Sequence, residues 1–525
     1  MPAAPPIRGA FRTDRPARAA YAEGAGIYRI VPRAVCLPAD PDDVVTLVRW
    51  AGENRIPLVP RGAGSGMSGA NVGTGVVVDL TATVGPALTI DSASQRARMR
   101  AGASLGDLHQ AAAPHALRLP PDPSSWPWAT AGGVVATNAA GPRSVRYGSV
   151  RRWVHSVEMV TGEGEVVSLG RVSAGNWSHL LPPAPALARW PKLRKNSFGY
   201  ALDEFARSGN PLDLVVGAEG TLGIVTAVEW RLDAVPPHRA GVRILLGDHA
   251  ELPALVAELL PLEVSALELL DRTFLDVVRS GEPSIPLPNA DAVLLVEIEA
   301  ASEGALRRVA EAVVRAARPR AIAVDAALSR AGTDQLWRVR HAASPILARL
   351  PPERRSLQVI EDGCVPVERL GDYISALRLA AADCDIPVVL FGHAGDGNVH
   401  ANALPDVTRR GWQKRLRELY ARAADAVIRL GGVPSGEHGA GRLRSALLER
   451  VYGPEIVSRF RDIKRAFDPL GILNPGVILP SGEPPLSRLK VGAAAARLPD
   501  HVERGLRAIE RTAAYATPRL SLADT

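Results

Sequence analysis

The chain of 525 residues is poor in cysteine, in lysine and in aromatic residues, and it has no long apolar run. Its three cysteines, Cys36, Cys364 and Cys384, are scattered, with no CxxC pair. That excludes a disulfide framework, a thiolate zinc site and an iron–sulfur cluster held by this chain alone. No stretch of about 18 apolar residues exists, so no membrane-spanning helix is expected. The opening MPAAPPIRGAFRTDRPARAA lacks the apolar centre of a secretory signal. The expected location is cytoplasmic, with peripheral attachment to the inner membrane left open. Lysine is nearly absent: of 62 basic residues five are Lys, namely Lys192, Lys195, Lys414, Lys464 and Lys490. The net charge of +7 is nevertheless weak support for a nucleic-acid partner. Arginine alternates with acids, as in RRVAEAVVRAARPR, instead of forming basic stripes, and the skew reads as codon bias.

What is present is a large amount of foldable sequence. The length suits two large domains or about three smaller ones, with enough core to need no disulfide. Glycine (48) and proline (44) are spread along the chain, which implies many loops. Residues 1–235 alternate short β runs, helices and glycine-rich loops, and VEMVTGEGEVVSL reads as a hairpin turning at Thr161–Gly164. From 236 the texture changes to long Ala/Leu/Glu/Arg helices between β runs, the pattern of a second, α+β domain extending to 462. Residues 463–480 end in DPLGILNPGVIL, where Pro and Gly stop regular structure. Residues 481–525 form an Arg/Ala-rich tail, expected as a helix with a loose end. Residues 171–195 are Pro-rich and read as an inserted surface loop.

Five segments carry the chemistry. The first, VPRGAGSGMSGANVGTG (59–75), holds six glycines that let backbone approach a ligand and aim N–H groups at an anion. It fits neither a Walker loop nor the dinucleotide fingerprint, so a pyrophosphate cradle and a plain glycine turn both stand. The second, DPSSWPWATAGGVVATNAAGPRSVRYGS (122–149), offers small residues against which a flat ligand can lie; tight strand–helix packing asks for the same residues. The third, VVGAEGTLGIVT (215–226), brackets one acid with Gly and Thr. The fourth joins FGHAGDGNVHAN (391–402) to GVPSGEHGAG (432–441). Two imidazoles and one carboxylate with an open position suit Zn²⁺, Mn²⁺ or Fe²⁺, while ordinary turn-bonding residues are the plainer alternative. The fifth, LWRVRHAAS (336–344), places Arg340 on a helix, with Arg338 expected on a different side.

These segments, in this order, resemble the FAD-binding domain of the vanillyl-alcohol oxidase/p-cresol methylhydroxylase superfamily. The branch with D-lactate dehydrogenase, the glycolate oxidase flavoprotein subunit and D-2-hydroxyglutarate dehydrogenase is the most similar. The match runs from about Ala20 to Leu479. The resemblance implies a two-domain α+β flavoprotein with a p-cresol methylhydroxylase-type FAD domain and an α+β substrate (cap) domain. It assigns the pyrophosphate to Pro60, Arg61, Gly62, Ala63, Gly64, Ser65, Gly66, Ser68 and Gly69, helped by Asn71. Pro121, Asp122, Ala131, Gly132, Gly133, Ala136, Thr137, Asn138, Ala140 and Gly141 would lie along the cofactor. Glu219, Gly220, Gly223 and Ile224 would line its adenine end, and Asn474, in the returning C-terminal segment, would touch the cofactor or its loop. Some members link FAD through a His of the first loop; Ser65 or Gly66 stands there, so FAD is expected to be non-covalent.

The same resemblance makes His393, His400 and Glu437 ligands of a divalent metal, Zn or Mn. It makes His438 the base, Asn402 a substrate contact and Arg340 the carboxylate clamp, a role suited to a bidentate guanidinium. The implied reaction oxidises a D-2-hydroxy acid to the 2-oxo acid, with hydride passing to flavin N5. His438 has to be neutral to act as base, so a nearby cation is expected to lower its pKa. The acceptor would be an iron–sulfur protein, a cytochrome or a quinone, and a homodimer is allowed. The alternative is a flavoprotein subunit that needs a separate iron–sulfur partner, since larger relatives fuse such a module and this chain stops without one. Dicarboxylate-oxidising relatives place a basic residue just before the acid of the VIEDG strand; here Val359 and Ile360 stand.

Overall fold

The computed structural model describes residues 2–524 except 84, 86, 172–176, 182–183, 283, 286–288 and 352. Asp40 accepts from the amides of Asp42 and Asp43 and starts the helix Pro41–Asn54, whose Val44, Leu47 and Val48 are buried. Proline at the first position has no amide to leave unpaired there. That helix covers a four-stranded sheet ordered Ala10–Arg12, Ala34–Leu37, Val76–Asp79, Leu58–Arg61, the last three parallel. A second sheet of five antiparallel strands runs Thr89–Asp91, Arg96–Arg100, Ile224–Arg231, Val154–Val160, Val166–Gly170. Its last pair is the hairpin expected from the sequence, closed by Gly164 N donating to Thr161 O at 3.0 Å.

From His238 the chain builds a seven-stranded antiparallel sheet, ordered Ala321–Ala327, His238–Leu246, Ala292–Ala300, Ala266–Asp271, Val388–His393, Asn398–Ala403, Gly363–Cys364. Helices cover both faces, which explains the nearly unbroken apolar run of Ala292–Ala300. Val242, Ile244 and Leu294 pack under the helices Leu252–Leu259, Glu303–Ala317 and Leu370–Asp383. Leu245, Val293 and Leu295 pack on the other face with Phe274, Leu275, Trp337 and Val339. The helix Leu448–Phe467 spans residue 462, and its Tyr452, Ile456 and Phe460 join the core of the five-stranded sheet. Beyond it, Leu58 N donates to Ile472 O and Asn474 N to Leu58 O, both at 2.8 Å, so the chain returns to the four-stranded sheet.

Two expectations need correction. The tail is docked, not loose: Leu498, Val502 and Leu506 pack on Ala19–Ala22, Val35, Val59 and Val77. Arg519 is buried, and Asp524 pairs with Arg12 at 3.3 Å. In the 171–195 stretch, 172–176 and 182–183 lie outside the described residues; His179, Arg189, Lys192 and Arg194 are exposed, but Leu180, Ala186 and Lys195 are buried and two tryptophans lie against the core. Trp190 stacks on Tyr452 at 4.3 Å between ring centroids, and Trp177 on Phe467 at 5.2 Å. Sheltered ion pairs tie the first 235 residues to the seven-stranded sheet: Arg143 to Glu297 at 2.6 Å and Arg118 to Glu299 at 2.8 Å. Among the described residues no helix is long and apolar enough to cross a membrane.

Candidate active site

A cavity of about 530 Å³ runs from the glycine loop after Leu58–Arg61 to the seven-stranded sheet. Arg61 turns inward, its Nη2 donating to Glu23 O at 2.8 Å, so its charge braces the loop. Thr130 caps the helix Ala131–Thr137 through Gly133 N, and Gly132, Gly133, Ala136 and Thr137 turn to the cavity. Backbone and small side chains thus form both long walls, and among the described residues the buried Trp128 Nε1 in the wall has no partner. These features fit a long, flat, phosphate-bearing cofactor.

The chemical end is built by strand pairing. Phe391 pairs with His400 and His393 with Asn398 across a tight turn at Gly397, φ 70°. The two-residue period then puts His393, His400 and Asn402 on one face. Opposite, Asp362 fixes the Glu437 loop, accepting from Ser435 Oγ at 2.6 Å, Glu437 N at 3.0 Å and His438 N at 2.8 Å. Glu437 Oε1 lies 3.2 Å from His393 Nε2 and 3.3 Å from His400 Nε2, and the two imidazole nitrogens are 3.3 Å apart. Three donors at that spacing form one face of a tetrahedron whose centre is about 2.0 Å from each, the Zn–N and Zn–O bond length. Asp362, His400, Glu437 and His438 also approach within 4.8 Å of one another. Asp362 is already saturated with donors, so the His393, His400, Glu437 set is the better one.

Burial alone would push the Glu437 carboxyl up, but Lys195 Nζ at 2.9 Å and the His393 ring hold it well below its usual range. Burial would lower His393, yet the Glu268 carboxylate on its Nδ1 raises it to about 9. Burial opposes the imidazolium of His438 as well, but Glu361 at 2.6 Å from Nδ1 outweighs it and lifts the pKa to about 10. The expected downward shift of His438 is therefore reversed: a carboxylate, not a cation, is its nearest charged neighbour.

Arg340, His393, His400, Asn402, Glu437 and His438 all line the one cavity. Arg340 is buried while Arg338 is exposed. Its Nε donates to Glu268 Oε2 at 2.9 Å and its guanidinium lies over the Phe391 ring, and among the described residues the outer nitrogens of the fork make no hydrogen bond. Of the expected cofactor residues, Pro60, Arg61, Gly62, Ala63, Gly64, Ser65, Gly66, Ser68, Asn71, Gly132, Gly133, Ala136, Thr137, Ala140, Gly141, Glu219, Gly220 and Gly223 line the cavity. Seven stand behind the wall instead. Gly69, φ 83°, lies against the Tyr28 ring, where a side chain has no room. Ala131 and Ile224 are fully buried in the core, and Pro121 is buried outside the lining. Asp122 pairs with Arg143. Asn138 accepts from Arg151 N at 3.3 Å. Asn474 Nδ2 donates to Ala70 O at 2.8 Å and Glu219 O at 2.9 Å, bracing the loops that touch the cavity.

The sequence reading gave no role to Glu268, Asp362 or Lys195 and met Glu361 only as the acid of the VIEDG strand. Lysine's rarity marks Lys195 as one of five candidates; nothing local marks Glu268.

Residues 32–170 match the FAD binding domain family, and 236–478 match the family of FAD linked oxidases, C-terminal domain. The chain is 31% identical over 453 residues to the glycolate oxidase subunit GlcD of Bacillus subtilis, covering 86% of this chain and 89% of that protein. The chain belongs to the FAD-linked oxidases. This FAD-linked oxidase is also 32% identical to the D-lactate dehydrogenase of Archaeoglobus fulgidus, over 86% of this chain and 93% of that one. The D-2-hydroxyglutarate dehydrogenase of Xanthomonas citri pv. viticola is 29% identical, over 86% and 90%. Among solved structures, 4-ethylphenol oxidase from Gulosibacter chungangensis superposes with a TM-score of 0.65 at 18% identity, over 90% of this chain and 94% of that one. The fold is thus the two-domain α+β arrangement with a p-cresol methylhydroxylase-type FAD domain, and the chain is an FAD-linked oxidoreductase.

Proposed function

We propose that this FAD-linked oxidase oxidises a D-2-hydroxy acid of the lactate, glycolate or 2-hydroxyglutarate type to the 2-oxo acid. FAD is held non-covalently, since Ser65 and Gly66 occupy the linking position, and a divalent ion sits at His393, His400 and Glu437. The triangle of donors 3.2–3.3 Å apart, in the same cavity as Arg340, carries this reading. Bound FAD supplies the hydride acceptor, and a bound divalent ion supplies a Lewis acid whose charge opposes the pull of Glu361 on His438. Arg340 binds the substrate carboxylate, its Nε pinned by Glu268. Asn402 lines the cavity beside it. His438 holds Glu361 through Nδ1, and its Nε2, 3.5 Å from Glu437 Oε1, would take the hydroxyl proton once a bound cation has brought the ring to its neutral form. The relatives' names, which include a glycolate oxidase subunit, favour one second reading: the chain is a subunit that passes electrons to an iron–sulfur partner.

The test is anaerobic stopped-flow flavin reduction against a panel of D-2-hydroxy acids, with metal content measured on the same samples. Reduction by at least one of them, lost in Glu437→Gln together with the metal, is expected. A metal-free protein at full rate removes the ion. Turnover with an artificial dye by the isolated chain separates the main reading from the subunit reading.

A further inference from the structure

The helix Asp500–Thr512 and Tyr515 lie beyond residue 478, where the match to the oxidase C-terminal domain ends, yet they wall the same cavity as the chemical groups. The helix buries Val502, Leu506 and Ile509. Its opposite side turns Arg507, Glu510 and Arg511 to the cavity mouth. Across the mouth the helix Arg330–Ala348 ends in Leu347 and Ala348, and the chain continues through Leu350 to Arg354 and Arg355.

Positive charge at this mouth is not matched by carboxylates. Glu510 is shared between Arg355 at 3.0 Å and Lys490 at 2.9 Å. Glu503 is shared between Arg29 and Arg507, both at 3.0 Å. Arg354 and Arg511 are exposed, and among the described residues neither side chain makes a hydrogen bond or an ion pair, although Asp406, bridged to Arg354 through the backbone, feels the charge of Arg354. Unpaired guanidiniums lining a concave site attract and orient anions. Along the chain between Arg340 and Arg354, the apolar Leu347 and Leu350 also line the cavity. Arg340 to Ala348 is about 12 Å along the helix at ~1.5 Å per residue.

We propose that the mouth, with Arg354 and Arg511 as its free cations, is a subsite for a second anionic group of the substrate, separated from the 2-hydroxy carboxylate by a chain of several carbons. This rests on the 2-hydroxy-acid reading above. It places the distal cations on the C-terminal segment and the 354–355 turn, whereas Val359 and Ile360 leave the strand before Glu361 apolar.

The test is anaerobic flavin reduction by matched pairs of D-2-hydroxy acids of rising chain length, one of each pair bearing a terminal carboxylate. In the wild type the ω-carboxylate of the favoured length should raise kcat/KM by about tenfold or more over its monoacid, an advantage that shrinks with ionic strength. In the double variant Arg354→Gln/Arg511→Gln the ratio should fall toward one. Both side chains are exposed and make no hydrogen bond or ion pair among the described residues, so folding is not at issue; flavin content and the circular dichroism melt verify it. A ratio near one in the wild type, or one that the double variant leaves intact, overturns the subsite while the 2-hydroxy-acid reading stands. Failure of every 2-hydroxy acid to reduce the flavin overturns both.

Discussion

Glu268 is fully buried, and each of its oxygens holds a different functional side chain: Arg340 on one, His393 on the other. Neither contact is visible in the sequence, because Glu268 is 125 residues from His393 and 72 from Arg340. His393, His400, Glu437 and His438 were legible because each pair lies within one short glycine-rich string. Their supports, Glu361 at 77 residues from His438 and Lys195 at 242 from Glu437, come from other strands and loops. Glu268→Gln should therefore reach two functions at once. Breaking a buried charge pair costs about 3–5 kcal/mol of stability, and both the substrate clamp and the metal donor lose orientation. The expected result is a lower urea midpoint, a KM raised about tenfold and weaker metal retention, the last read by chelator competition. A KM unchanged at full metal content would remove Glu268 from the site. Arg340→Lys replaces a fork with a point charge and should also raise KM by about tenfold. Its flavin spectrum and its metal retention should stay as in the wild type, and the unchanged metal retention separates it from Glu268→Gln.

At the level of elements, the strands and caps were readable and the docking of the tail was not. Asp40, Ser104 and Thr130 each cap a helix with a short polar side chain, the kind of residue that marks a helix start in a sequence. The tail helix carries only a narrow apolar stripe, Val502, Leu506 and Ile509, within an Arg/Ala-rich run, and its partners Ala19–Ala22 lie near the other end of the chain. Burial of Leu498, Val502, Leu506 and Ile509 is worth about 6–12 kcal/mol at ~1.5–3 kcal/mol per side chain, comparable to the ~5–15 kcal/mol net stability of a domain. A chain cut after residue 480 should melt well below the full chain and lose FAD on gel filtration. Equal melting temperatures would show that the segment is an ornament. The loop at Gly441 is a smaller case. Its φ is 54°, its amide donates to both oxygens of Glu219 at 3.0 Å, and a Cβ would strike the backbone of Ser68. Gly441→Ala should pull the His438 loop away from the FAD wall, lowering FAD affinity and kcat together in titration and turnover assays.

On the scale of the whole molecule, acid should unfold the protein partly through Asp213, which is buried between Arg151 at 3.2 Å and Arg171 at 2.9 Å. Burial raises its carboxyl, but the two guanidiniums and Ser208 hold it below the usual range. A depressed carboxylate stabilises the fold above its unfolded pKa of about 3.9 and loses that contribution as pH falls through the lower folded value. Urea midpoints should thus drop between about pH 4 and the folded pKa, with a shallower drop in Asp213→Asn. The contacts joining the two halves have a kinetic consequence. Gly141 O, on the cofactor wall, accepts from Ser144 Oγ at 2.7 Å, and Ser144 continues to Asp396 at 2.5 Å. Lys195 lies 3.7 Å from Asp396 and 2.9 Å from Glu437, and Glu437 leads through His393 and Glu268 to Arg340. With Arg143–Glu297 and Arg118–Glu299 alongside, a clamshell motion would have to strip several buried charges at once. Substrate and product must instead thread a fixed aperture, so the radius of gyration in X-ray scattering should be the same with and without ligand, and binding traces should show one concentration-dependent phase without a slow opening step.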